Sequence, residues 1–123
     1  MTDSILDSTK KLLGLSVDYD AFDTDIIMHI NSAISNLTQI NVGPELGFEV
    51  IDSAETWTQF LGKDPRLAPA KTYVYLKVRM VFDPPTTSYV LAAMEKLISE
   101  SEWRLNVTVD TTPLPIPAVI DED

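Results

Sequence analysis

Between Asp23 and Pro44, Ile26, Ile30, Ala33, Ile34 and Leu37 recur at i, i+4, i+7, i+8 and i+11. This is the strongest periodicity in the chain. Apolar residues at that spacing form one stripe along an α-helix, and such a stripe has to be buried against other elements. Asp23 or Thr24 can cap the start, and Gly43 followed by Pro44 ends it. The pattern predicts a helix over about 24–41 with helices packed against its apolar side.

The flanking segments supply the partners. Residues 3–14 place Ile5, Leu6, Thr9, Leu12 and Leu13 on one stripe, with Asp3 and Asp7 early and Gly14 at the C-terminal cap. The stretch 43–53 has two glycines and a Phe48/Val50 alternation, so it reads as a loop with one short strand at best. Residues 54–62 predict a brief helix presenting Trp57, Phe60 and Leu61. A longer helix follows, its start kinked at Pro65 or delayed to Pro69, and it ends at Pro84 and Pro85. Its wheel has two apolar faces. Leu67, Val74, Val78, Val81 and Phe82 make one, and Tyr73, Leu76 and Met80 make the other, with Lys77 and Arg79 on the flanks between them. A helix of that kind is normally sandwiched.

The last helix is expected over about 87–105, burying Val90, Met94, Leu97, Ile98 and Leu105. Tyr89, Lys96 and Trp103 recur every seventh residue on its other side. From Asn106 onward the chain has three prolines, four acids and no positive charge, so it reads as an extended tail. The expected architecture is all-α: a small bundle of about four main helices (residues 1–105), a short irregular or β-containing loop segment, and an acidic, proline-containing C-terminal tail (residues 106–123). At 123 residues, 45% of them apolar, a chain buries roughly two thirds of its extended surface. One domain with a real core is the expectation.

Charge limits the partners. Nineteen acids against nine bases leave −10 at pH 7, which argues against gripping nucleic-acid phosphates or anionic membranes. The absence of cysteine excludes disulfides, thiolate zinc sites and a Cys nucleophile. With no apolar run near 18 residues and no signal-like segment, a soluble chain that stays where it is made is expected.

Few residues suit catalysis. Asp18, Asp20, Asp23 and Asp25 suggest a calcium loop, but counting from Asp18 the sixth and twelfth positions hold Asp23 and His29 instead of Gly and Glu. The acids read as a helix approach that suits the helix dipole. His29, the single histidine, has no serine or acid spaced to form a triad with it. Gly14, Gly43, Gly47 and Gly62 match no phosphate-binding loop. The expectation is a non-enzyme without cofactor or metal.

The informative surface is apolar. Trp103, Tyr89 and Lys96 on the back of the last helix suit a protein contact, unless Val107 or Val109 of the tail covers the tryptophan. Met28, opposite the core stripe of its helix, is a weaker hint. Charge is divided as well. Residues 1–62 hold ten acids and two bases, and residues 63–105 hold five acids and seven bases. That asymmetry suits head-to-tail packing of copies, although an acidic shell that only aids solubility would look the same.

Residues 10–44, WTQFLG (57–62), KTYVYLKVRMVFDPPTTS (71–88) and EWRLNV (102–107) resemble, in this order, the head–tail connector family of tailed bacteriophages, also called head-completion or adaptor proteins. The resemblance covers about residues 3–107. It implies a small helical bundle, no catalysis, and a virion protein assembled in the host cytoplasm and placed at the head–tail junction. It further implies a homo-oligomeric ring, twelve-fold to match the portal, contacting portal protein and a tail or stopper protein, with DNA only as passing cargo. Under that reading Tyr73, Leu76, Lys77, Arg79 and Met80 are the expected subunit interface. Tyr89, Lys96, Trp103, Val107 and Val109 are expected to contact the portal, the tail or a neighbour. The rival reading is an acidic DNA mimic that binds a nucleic-acid-binding protein.

Overall fold

The computed structural model describes residues 3–109. Helix α1 (Ile5–Leu12) is capped by the Ser4 hydroxyl, which accepts from the Asp7 N–H. Helix α2 spans Asp23–Gln39 and α3 spans Trp57–Leu61. A 3₁₀ turn at Pro65–Leu67 leads into α4 (Pro69–Phe82), with Pro69 in the first turn, where a missing N–H is harmless. Helix α5 is the longest, Ser88–Val109. No strand forms among the described residues. The one β-type pairing is an isolated antiparallel bridge between Ser4 and Thr56.

Helix α2 packs between α1 and α4, and α4 packs between α2 and α5. The core gathers Ile5 and Leu6 from α1, the whole Ile26–Leu37 stripe of α2, Trp57, Phe60 and Leu61 of α3, Ala70, Tyr73, Val74 and Val78 of α4, and Leu105 of α5. The 43–53 segment is irregular but anchored. Asn31 on α2 clamps it by donating Nδ2–H to the Val50 carbonyl (2.9 Å) and accepting the Val50 N–H at Oδ1 (2.8 Å). The short α3 carries a full capping box. The Thr56 hydroxyl accepts from Gln59 N–H, and the Gln59 side chain accepts from Thr56 N–H.

Four expectations change. Neither Asp23 nor Thr24 caps α2: Phe22 holds that position without a side-chain hydrogen bond, and Asp23 pairs with Lys10 instead. The tail does not begin at Asn106. Helix α5 continues through Val109 because the first helix-breaking residue is Pro113, and Val109 packs on the core. On α5 the buried stripe is Met94, Ser101 and Leu105, with Ile98 half-buried. Val90 and Leu97 are exposed, at 41% and 46%, and the small Ser101 lies beside Ala68, Pro69 and Thr72. Val81 also leaves its expected face and is exposed. The remaining tail, residues 110–123, lies outside the described residues.

Candidate functional site

The two-faced α4 is used mostly inside the chain. Tyr73 and Leu76, expected at a subunit interface, are only 2% and 6% exposed. The long α5 covers the second face of α4, so neither side chain is available to a neighbour. Burial holds the Tyr73 hydroxyl in its neutral form, pushing its pKa above the ordinary tyrosine range. The nearby Glu102 charge acts in the same direction, and a hydrogen bond with Asn36 opposes both.

What α4 leaves open is its C-terminal half. Lys77, Met80 and Val81 line one wall of a groove of about 320 Å³, and Glu95, Ile98 and Ser99 of α5 line the other. The Lys77 ammonium sits 5.8 Å from the Tyr73 ring centre, a cation–π contact that leans its stem along the buried ring. Arg79 is held differently. Its guanidinium donates to the Tyr75 hydroxyl (3.4 Å) and to the Asp83 carbonyl at the helix end (3.4 Å). Of the five expected interface residues, the structure brings Lys77 and Met80 together at an accessible surface, buries two, and ties Arg79 into the α4 terminus.

The outer side of α5 carries the second set. Tyr89, Trp103 and Val107 are exposed, at 84%, 65% and 56%, and Lys96 lies between the two aromatics. They share one ridge because their spacing is close to two helical turns. Val107 is helical and exposed, so it does not cover Trp103. Val109 turns inward to the core instead of joining the ridge.

A second accessible surface lies at the other end of the helix stack and escaped sequence reasoning. Val17, Asp7, Asp23, Ile27, Ile51 and Asp52 surround a hollow of about 330 Å³ between α1, α2 and the 50–54 turn. Ile51 is 68% exposed there. The available signal was an isoleucine set among Asp52, Ser53 and Glu55 in a polar loop, with no periodic partner.

The residues tested for chemistry remain apart. His29 is half-buried on α2, Asp18 and Asp20 stand in the exposed approach to α2, and Asp23 is engaged by Lys10. No three His, Asp or Glu residues among those described gather as a metal site. No described helix is long and apolar enough to cross a membrane. The architecture offers apolar contact surfaces on a rigid helical body.

A family model described as phage connector protein matches residues 5–112, a span that contains all five helices. No curated protein and no solved structure is significantly similar to the chain. The chain belongs to the phage connector protein family, a family of structural virion proteins.

Proposed function

We propose that this chain forms a homo-oligomeric ring at the head–tail junction, twelve-fold to match the portal. The ring extends the DNA channel and offers the tail or a stopper protein its docking surface. The observation that carries the reading is the α5 ridge: Tyr89 and Trp103 stand in solvent on a helix that lies within the family match. Large exposed aromatics cost solubility and suit contact surfaces. Lys77 and Met80 serve the contact with a neighbour, and the α5 ridge serves the portal or tail.

The acidity fits such a channel. A wall with excess carboxylates repels phosphates, so DNA slides without adhering. The DNA-mimic reading gains nothing from the structure, since Asp18 and Asp20 sit in a loop and not in a regular double row along helices. Adding purified protein to portal-bearing, DNA-filled capsids and weighing the particles tests the proposal. Saturable uptake of many copies is expected. A stable monomer that ignores the capsids but captures a basic DNA-binding protein would establish the mimic instead.

A further inference from the structure

We infer that the Ile51 turn of one copy inserts into the α4–α5 groove of the next copy, a head-to-tail contact that builds the ring. The pairing rests on the ring reading above and specifies its joint. The turn is a preformed knob. Glu55 accepts hydrogen bonds from the Ile51 N–H (2.9 Å) and Asp52 N–H (3.0 Å), Asp52 accepts from Ala54 N–H (2.7 Å), and Asn31 holds Val50 at both backbone atoms. An isoleucine held this firmly and still 68% exposed loses little conformational freedom on docking.

The groove has matching chemistry. Met80, Ile98 and the exposed Val81 supply apolar walls, and Lys77 supplies a cation for Asp52 beside the knob. Glu95 is the one carboxylate among its lining residues. Knob and groove share no residue. The knob hangs on α2 through Asn31, the groove lies between α4 and α5, and α4 stands between α2 and α5. Each copy therefore presents both halves of the joint at once, which is what a heterologous contact needs in order to close into a ring.

Charge disfavours the symmetric alternative. A two-fold contact through the knob would bring together two copies of the half that holds ten acids against two bases. The head-to-tail contact instead sets that half against residues 63–105, with seven bases and five acids.

The chain contains no cysteine, so introduced thiols report contacts cleanly. Ile51→Cys and Val81→Cys variants would be loaded separately, mixed, and combined in one chain onto portal-bearing capsids, then treated with a short bismaleimide. The expected result is a heterodimer from the mixture, a ladder from the double variant, and no dimer from either single variant. Dimers from Ile51→Cys alone would show a symmetric contact and overturn the inference. Many copies per capsid without a cross-link in the mixture would also overturn it, while the ring stands. A single copy per capsid would remove the ring reading and this joint together. In parallel, Ile51→Asp should leave the thermal melt unchanged and weaken oligomer formation by about tenfold or more. Unchanged assembly of that variant would overturn the inference.

Discussion

The Lys10 ammonium lies 2.8 Å from the Asp23 carboxylate and donates to the Val17 carbonyl at 2.9 Å, with the Lys10 side chain only 1% exposed. One buried cation thus joins α1, the start of α2 and the acidic link between them. Asp23 keeps 29% of its side chain exposed, so water tempers the pair. Replacing Lys10 by Ala strands a carboxylate and a carbonyl and opens a cavity, and is expected to cost about 2–4 kcal/mol. Lys10→Met keeps the packing and should cost less. Urea unfolding of the two variants checks this: a Lys10→Met protein as stable as the parent would show that the ion pair contributes nothing beyond volume, and equal losses would show that the cavity adds nothing.

Gly43 has φ of +90°. A Cβ there would run into Cε1 of Phe60 and lie 2.8 Å from its Cδ1, and Phe60 is itself packed on Phe48 with ring centres 5.2 Å apart. Gly14, at φ of +85°, would meet nothing within 4 Å. Gly14→Ala therefore carries only the left-handed backbone cost, about 1–2 kcal/mol. Gly43→Ala adds a clash in the core and should reach about 2–5 kcal/mol. Denaturant midpoints for both variants decide it. A Gly43→Ala loss no larger than that of Gly14→Ala would mean Phe60 gives way freely.

The elements legible in the sequence were those set by period and punctuation. The Ile26–Leu37 stripe, the brief helix carrying Trp57, Phe60 and Leu61, and the Pro69 start required only local geometry, and each stands in the structure. What escaped depends on distant neighbours. Asp23 could satisfy a helix end or a lysine 13 residues earlier, and burial of Lys10 decided for the lysine. The wheel of α4 showed two apolar faces but not that α5, four residues longer than expected at its end, would cover Tyr73 and Leu76. Ile51 belongs to no period, so only the fold reveals that it stands in solvent on a clamped turn.

Two carboxylates around the α1–α3 junction contribute to the acid limb of stability. Hydrogen bonds from Thr58, its side chain above all, hold the Asp3 carboxyl below its ordinary pKa, and the Asp52 and Ile51 N–H groups do the same for Glu55. With both folded values depressed, the unfolded chain binds more protons as pH falls. Their contribution is present above the ordinary carboxylate range, near pH 4, and is lost as pH drops through the folded values. Urea midpoints at pH 7, 5 and 3 should fall toward pH 3, and the Asp3→Asn, Glu55→Gln double variant should fall less. An equal fall in both proteins would place the acid sensitivity elsewhere.

The two tryptophans should answer opposite experiments. Trp57 is 5% exposed, and its Nε1–H donates to the Ser8 hydroxyl at 2.8 Å, tying α3 to α1. Trp57→Phe removes that bond and should cost about 1 kcal/mol, and Trp57→Ala should cost about 3–5 kcal/mol by emptying the core. Trp103 is 65% exposed on the α5 ridge, and its replacement by Ala should change stability by no more than about 0.5 kcal/mol. Its effect belongs to assembly. A large aromatic at the centre of a contact commonly carries about 2 kcal/mol or more of binding, so Trp103→Ala should weaken capsid binding by about thirtyfold. Tyr89→Ala on the same ridge should act in the same direction. Urea unfolding and particle uptake, measured on the same preparations, separate the roles. A Trp103→Ala protein that binds portal-bearing capsids as well as the parent would remove the ridge from the contact surface, and a loss of stability as large as that of Trp57→Ala would make Trp103 part of the core.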